Sequence, residues 1–245
     1  MELQMAEHTF CHVEWAVTDL NRAKSFYGGM FNWKFESFGD DYMMIQTPSD
    51  EIGGGLMKQD KISTGSSPRV FVLVEDVQPY LDKVSGLGGK MAFPKTDIPG
   101  VGWFGMITDP DGNTIGVFQS SHGGDEPMHS FCHVEWSVSD GARAAGFYNG
   151  LFDWKFEPFG DEYQMFRTPS GNVGGGIMEE KSFQPAQSPC VYVEVNSIEP
   201  YLEKVKTLGG EVGMPKTEIP GMGWFAILLD HDKNAVGIYE GARKE

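Results

Sequence analysis

The chain contains two copies of one long segment. Shifting the sequence by 121 residues aligns residues 10–119 with residues 131–240 without a gap, and 56 of the 110 aligned positions are identical. A period this long exceeds that of solenoid repeats, so each copy is large enough to be a domain. We therefore predict a first module over residues 8–120, a polar linker over residues 121–130 and a second module over residues 131–241.

Within each copy the hydrophobic pattern changes from strand to helix periodicity twice. Phe10–Val17 alternates as a strand does, Asp19 is placed as an N-cap, and apolar residues then recur at helical spacing up to Phe31. Short strand patterns separated by turns follow, and the plan repeats from Arg69, with a second helix ending at Gly88. The sequence thus predicts four β-α-β-β-β units in an α+β fold.

The charge balance excludes several classes of partner. Nineteen Lys and Arg face 35 Asp and Glu, a formal charge of -16, so we expect no nucleic-acid binding. No run approaches the roughly 20 apolar residues of a membrane span, and we expect no membrane partner. Residues 1–10 lack the basic and apolar regions of a signal peptide, and the three cysteines lack Cys-x-x-Cys spacing, so we expect a cytoplasmic protein.

Two motifs carry a family resemblance. The pattern H-V-E-x-x-V-x-D-x-x-x-A-x-x-F-Y spans His12–Tyr27, its counterpart spans His133–Tyr148, and DPDGN lies at residues 109–113. These motifs resemble the vicinal oxygen chelate superfamily of glyoxalases, bleomycin-resistance proteins and extradiol dioxygenases. The resemblance implies that two units curve their sheets into a cup, with helices outside and a small-molecule site inside. Whether each cup pairs units of one module or of both, and whether the chain is a monomer or a homodimer, stays open.

The resemblance also implies where metal ligands would lie. In metal-dependent members four ligands point into each cup, and the first position is His12 in one copy and His133 in the other. The other three positions fall on side chains that cannot hold a metal: Gly53–Leu56, Val70 and Gly116 in the first copy, and Gly174–Ile177, Val191 and Gly237 in the second. We therefore expect no cofactor. A divalent metal is the alternative, with His12, Glu14, His133 and Glu135 as its ligands.

The same four residues are the candidate catalytic groups. Strand alternation places His12 and Glu14 on one face together with Phe10, and Cys11 on the opposite face under the helix. A carboxylate two residues from an imidazole is expected to raise the imidazole pKa and to serve with it as general acid and base. The alternatives are a hydrogen-bonded polar pair lining a wet cavity, or metal ligation. His133 and Glu135 repeat the pattern in the second copy.

Two Gly-rich stretches are predicted to wall the pocket. The segments Pro94–Phe104 and Pro215–Phe225 have the composition of a lid over an apolar ligand, and Lys95 or Lys216 would favour an anionic ligand if turned inward. Turn formation alone would also explain them. The candidate substrate-binding residues are Met57, Trp103, Phe104, Phe118, Met178, Trp224, Phe225 and Tyr239.

These observations lead to one expectation of function and two alternatives. We expect a protein that binds a small, partly apolar molecule in a cup with a degenerate metal site, with acid-base chemistry by the His and Glu residues and a detoxification or resistance role. The first alternative is a metal-dependent glyoxalase-type lyase or isomerase, or a dioxygenase. The second is a non-catalytic structural or interaction protein whose cups are filled by its own side chains.

Overall fold

The computed structural model describes residues 8–49, 52–63, 65, 67–122, 127–169, 173–186 and 188–242. The first half forms β1 (Phe10–Val17), α1 (Leu20–Phe31), β2 (Lys34–Ser37), β3 (Tyr42–Gln46), β4 (Gly53–Lys58), β5 (Arg69–Leu73), α2 (Gln78–Lys83), β6 (Lys90–Ile98), β7 (Gly102–Thr108) and β8 (Thr114–Ser120). The second half forms β9 (Phe131–Val138), α3 (Gly141–Phe152), β10 (Phe156–Pro158), β11 (Tyr163–Arg167), β12 (Gly174–Glu179), β13 (Cys190–Glu194), α4 (Glu199–Thr207), β14 (Glu211–Ile219), β15 (Gly223–Leu229) and β16 (Ala235–Gly241).

The strands form two eight-stranded mixed sheets, and each sheet takes four strands from each half of the sequence. The first sheet has the order β14-β15-β16-β13-β1-β4-β3-β2, and the second has the order β10-β11-β12-β9-β5-β8-β7-β6. Antiparallel pairing of β1 with β13 joins the halves in the first sheet, and pairing of β5 with β9 joins them in the second. The first unit therefore pairs with the fourth, and the second with the third. The α+β architecture of four repeated units is as predicted.

Local sequence signals explain how the helices begin and end. The Asp19 side chain accepts hydrogen bonds from the backbone N–H groups of Asn21 and Arg22, which starts α1 as an N-cap does. The helix ends at Asn32, which adopts the left-handed conformation that closes many helices. Val84–Leu87 extends α2 as a 3-10 turn, and Gly88 ends it with a φ of 87°. No helix among the described residues is long and apolar enough to cross a membrane.

A single aromatic-rich core lies on the helix-facing sides of both sheets. Trp15 of β1 and Trp136 of β9 are fully buried within it. The Trp15 ring lies 5.7 Å from the ring of Phe131, and the Phe10 ring lies 6.1 Å from that of Trp136. Each sheet thus packs against aromatic residues of the other half, so burial as well as strand pairing holds the two halves together.

The C-terminal end of the linker between the two halves is hydrogen-bonded to the first half. The indole N–H of Trp33 donates to the carbonyl of His129 over 2.7 Å, and the His129 ring lies 2.5 Å from the Tyr80 hydroxyl. The same contact occurs where the chain enters the first module. There the indole N–H of Trp154, from the second half, donates to the carbonyl of His8 over 2.9 Å. Residues 127–130 of the predicted linker are therefore attached to the fold, whereas residues 123–126 lie outside the described residues.

Two local expectations are wrong. The pairing of β1 with β13 shifts register between Phe10 and His12, so this irregularity reverses the alternation: Phe10 is buried in the aromatic core, and the Cys11 thiol contacts the carbonyl of Tyr192. The predicted lid is also part of a β-hairpin. Residues up to Ile98 belong to β6, which pairs with β7 through two register shifts, and β14 and β15 repeat this arrangement.

Candidate functional site

Two cups lie on the sheet faces opposite the helices. The first cup is the face formed by β1–β4 and β13–β16, and the second cup is the face formed by β5–β12. In the first cup, His12 pairs in register with Gly53, and Glu14 pairs with Gly55. In the second cup, His133 pairs with Gly174 in the same way. Because paired residues share a face, the glycines beside each His and Glu leave room above the sheet.

A tyrosine connects the imidazole and carboxyl groups of the first cup. The Tyr42 hydroxyl lies 2.8 Å from His12 Nε2. The Tyr42 hydroxyl also lies above Gly55, the register partner of Glu14, and the Glu14 carboxyl interacts electrostatically with Tyr42 and with Tyr192, which comes from the other half of the chain. The His12 ring also stands edge-on to the Tyr192 ring, with centroids 5.9 Å apart. We call these four neighbouring side chains the first-cup cluster.

The electrostatics of this cluster differ from the sequence prediction. Burial lowers the pKa of His12 to about 4, so the expected rise of the imidazole pKa is wrong and the ring is neutral at pH 7. Burial raises the pKa of Glu14 to about 7, although Tyr42 and Tyr192 oppose that rise. None of the ion pairs found in the described part of the chain includes Glu14. Glu14 can therefore gain or lose a proton near neutral pH.

The second cup has the same His and Tyr but a different carboxyl environment. The Tyr163 hydroxyl lies 2.7 Å from His133 Nε2, and burial lowers the pKa of His133 to about 4. Here, however, the guanidinium of Arg69 forms an ion pair with Glu135. Arg69 also donates to Glu180 over 2.7 Å, so it lies between two carboxylates. The Glu135 carboxyl is thereby engaged in a buried ion pair.

The contrast between the cups comes from three aligned positions on β5 and β13. Arg69, Phe71 and Leu73 of the second cup align with Cys190, Tyr192 and Glu194 of the first. The Phe71 ring stands edge-on to His133 with centroids 5.8 Å apart, which matches the contact of Tyr192 with His12. The first cup therefore has a hydroxyl where the second has none, and a thiol where the second has a guanidinium. Burial raises the pKa of the Cys190 thiol, which keeps it protonated.

The donor set of the cups does not fit a family metal site. Val70 and Val191 are fully buried in the core, so the cup-facing residues of their strands are the aligned pairs described above. A Cβ added to Gly55 would lie 1.9 Å from the Tyr42 hydroxyl, and one added to Gly237 would lie 2.3 Å from the Tyr192 ring. Tyrosine rings thus occupy the space that ligand side chains at those positions would need. Among the described residues, no group of three or more His, Cys, Asp and Glu side chains could hold a metal ion.

The predicted substrate-binding residues lie in three places: the first cup, the second cup and the helix side of the sheets. Met57, which pairs with Ala16, and Phe225, whose ring contacts Tyr192, lie in the first cup. Tyr239 pairs with Phe225 at the same face and donates to the carbonyl of Met222. Phe104 contacts the Phe71 ring in the second cup, where Phe118 and Met178 also lie.

The two predicted tryptophans lie outside both cups. Trp103 and Trp224 pack against the aromatic core on the helix side of their sheets. Lys95 Nζ lies 5.5 Å from the Trp103 ring and 2.6 Å from Asp76, and Lys216 repeats this with Trp224 and with Glu240 at 2.6 Å. Both lysines are engaged by carboxylates outside the cups.

A cavity of about 640 Å³ opens at the β2–β4 end of the first cup, and its lining does not include the four residues of the first-cup cluster. Its lining includes Lys34, Met44, Gln46 and Gly53. Gly53 is the register partner of His12, and Met44 lies across from Gly55. The volume is within the range of small-molecule sites, which is roughly 300–1,000 Å³. The lining is mixed: Asn32, Lys34, Gln46, Thr47 and Ser49 carry polar side chains, Met44, Ile45 and Pro48 are apolar, and Lys34 supplies one positive charge.

Tyr42, Tyr192 and Arg69 contact the candidate residues of the cups but were not among the site residues predicted from the sequence. The run of glycines at Gly53–Gly55 signals a close approach above the strand, but the approaching group is a tyrosine ring of the neighbouring strand. Arg69 and Tyr192 lie beside residues from the opposite half, so finding them requires the pairing of units. The unequal alignment of Arg69 with Cys190 was the available signal.

Both the sequence and the fold of this chain are similar to those of known proteins. Residues 9–117 match the profile of the Glyoxalase/Bleomycin resistance protein/Dioxygenase superfamily. Two proteins named "Putative glyoxylase CFP32", from Mycobacterium bovis and Mycobacterium tuberculosis, are each 27% identical to this chain over 233 residues, covering 89% of either sequence. Glyoxalase I from Zea mays superposes with a TM-score of 0.71 at 19% identity, covering 94% of this chain and 92% of that one. The maize structure supports the fold assignment.

Proposed function

We propose that this chain, whose residues 9–117 match the Glyoxalase/Bleomycin resistance protein/Dioxygenase superfamily, binds a small, partly apolar molecule in the first cup and transfers a proton there. Glu14 is the proton acceptor and donor, and His12 holds the Tyr42 hydroxyl against it. The expected biological role is detoxification or resistance. The second cup serves binding or structure, since Arg69 engages its carboxyl group.

The main support for this proposal is the state of Glu14. Its carboxyl group is half-buried, has a pKa of about 7 and has no ion-pair partner among the described residues. A general acid or base works best when its pKa is near the working pH, because both protonation states are then populated. The neighbouring cavity beside Gly53 and Met44 provides room for a ligand. Met57 and Phe225 add apolar surface, which suits an uncharged ligand body.

The proposal is tested by hydrogen exchange at carbon next to a carbonyl group. Wild type, E14Q and E135Q are incubated in D₂O with a panel of small ketones and aldehydes, and the loss of α-protons is followed by ¹H NMR. We expect wild type and E135Q to catalyse exchange of at least one compound, and E14Q to lose about 100-fold or more of that rate. Equal rates for wild type and E14Q across the panel, or a loss confined to E135Q, would overturn the proposal.

A metal-dependent lyase or isomerase is the second candidate, and the name of the two mycobacterial relatives favours it. The donor set described above argues against it, since tyrosine rings fill the space at Gly55 and Gly237. The metal content of protein purified without chelator distinguishes the metal-dependent enzyme from metal-free proton transfer. The H12A/H133A double variant is the control. About one transition metal per cup, lost in the variant, would establish the metal enzyme, whereas less than about a tenth of an equivalent would support proton transfer without metal.

A further inference from the structure

The two tyrosines of the first-cup cluster are placed by two glycines. An alanine Cβ at Gly55 would lie 1.9 Å from the Tyr42 hydroxyl, and one at Gly237 would lie 2.3 Å from Cδ1 of Tyr192. Real Cβ atoms do not approach other atoms so closely, so each ring position requires a glycine beneath it. The two rings come from strands of different halves and lie on either side of Glu14 in the first cup. The Tyr42 hydroxyl lies above Gly55, the register partner of Glu14, and Tyr192 interacts electrostatically with the Glu14 carboxyl group.

Only one of these hydroxyls has a counterpart in the second cup. Tyr163 contacts His133 as Tyr42 contacts His12, at 2.7 and 2.8 Å. At the other position Phe71 replaces Tyr192 with nearly the same ring geometry, at interplanar angles of 70° and 68° to the imidazole. The ring is therefore retained for packing in both cups, whereas the hydroxyl is particular to the first.

We propose that Tyr42 and Tyr192 are further catalytic residues, whose hydroxyls hold a ligand oxygen as negative charge develops on it. This inference rests on the proposed function and names its substrate class, an uncharged carbonyl compound that carries a hydrogen on the adjacent carbon. The Glu14 carboxylate accepts that hydrogen as a proton, so the C–H bond breaks and an O–H bond forms on Glu14. The C–H electron pair moves into the new C=C bond, and the carbonyl π pair moves to oxygen. Return of the proton to carbon completes exchange or isomerisation without any other reactant.

The placement of the two tyrosines beside Glu14 couples these two events. Before proton transfer, Tyr42 and Tyr192 favour the charged Glu14 carboxylate and lower its pKa against the effect of burial. Once Glu14 is protonated it is a weaker acceptor, and the two hydroxyls are available to the new oxyanion. Burial raises the pKa of both phenols, so they remain protonated donors through the neutral range. Donors aimed at a developing oxyanion in a site with little water provide a large part of many rate enhancements.

Substituted phenols test this oxygen site without knowledge of the natural substrate. Their anions resemble an enolate, and para substituents vary their acidity. Binding is measured calorimetrically in E14Q, in which an uncharged amide stands in for the protonated carboxyl group. We expect the more acidic phenols to bind more tightly, and Y42F/E14Q and Y192F/E14Q to weaken the binding of the tightest phenol by about tenfold each. Y163F/E14Q, in which the added substitution lies in the second cup, should bind as E14Q does.

The exchange assay provides the catalytic readout. Y42F and Y192F should each lower the α-proton exchange rate by about 100-fold with little change in KM, while Y163F keeps the wild-type rate. Unfolding midpoints of all variants establish that they are folded. Wild-type exchange in Y42F and Y192F, with E14Q inactive, would overturn this inference and leave the proposed function standing. Equal exchange by E14Q and wild type would instead remove the proposed function itself.

Discussion

Arg69, from the first half of the sequence, forms an ion pair with Glu135, from the second half, and their side chains are only 12% and 10% exposed. The same guanidinium donates to Ser137 Oγ over 2.8 Å. This arrangement joins the second and third units at the floor of the second cup. At the equivalent place in the first cup, Cys190 leaves Glu14 without such a partner.

Removing Arg69 should destabilise the protein in a pH-dependent way. In R69A the buried Glu135 loses its counter-charge, and breaking a buried pair from one side costs about 3 kcal/mol. The cost should be lower at pH 5 than at pH 8, because protonation removes the unpaired charge. Urea unfolding at both pH values measures it. The R69A/E135Q variant should recover part of the loss, and C190A should lose no more than about 1 kcal/mol. Equal stability of R69A and wild type at pH 8 would contradict the argument.

The titration of Glu14 should lower the free energy of unfolding as pH rises. Its pKa is raised in the folded protein to about 7 from an ordinary 4.5, so the protonated carboxyl is favoured by folding. That contribution is fully present below pH 4.5 and is lost as pH rises through 7, an effect of about 3 kcal/mol. E14Q should therefore gain stability relative to wild type between pH 5 and pH 8. Urea unfolding at the two pH values measures the gain, with E36Q at an exposed glutamate of β2 as control. A constant difference between E14Q and wild type would show that Glu14 does not titrate in this range.

The pairing of units predicts the behaviour of cleaved protein. A protease site introduced between residues 122 and 127 would separate the two halves of the sequence. Because β1 pairs with β13 and β5 pairs with β9, both halves should stay associated after cleavage, and the product should elute with the 27.1 kDa of the intact chain. Size-exclusion chromatography with light scattering measures this. Two separate species of roughly half that mass would show that each half closes its own cup.

The local elements could be predicted from the sequence, but the composition of each cup could not. Strand alternation and the Asp19 cap define β1 and α1, and the repeat defines four units. Which strands pair depends on long-range burial, such as that of Phe10 against Trp136, and two homologous copies offer equivalent partners. His12 and Glu14 were found because they share a strand face, whereas Tyr192 reaches them only across the junction of the halves.

The pKa of His12 illustrates the same limit. Spacing along a strand indicates that a carboxyl group is near, but the degree of burial is set by the whole sheet, and burial lowers the pKa of His12. The irregular pairing at Phe10 is similar, since a local alternation rule cannot show that the partner strand shifts register there.

Gly55 offers a direct test of how the first-cup cluster is built. G55A places a Cβ against the Tyr42 ring, with 1.9 Å to its hydroxyl oxygen and 2.3 Å to Cζ, so the ring must move. Overpacking of this kind costs about 2 kcal/mol. In Y42A the space is free, so the further effect of G55A should be small and a double-mutant cycle should give a coupling of 1 kcal/mol or more. G86A, where nothing lies within 4 Å of the added Cβ, should change stability by no more than about 0.5 kcal/mol. Additive effects of G55A and Y42A in urea unfolding would mean that the tyrosine is not held above this glycine.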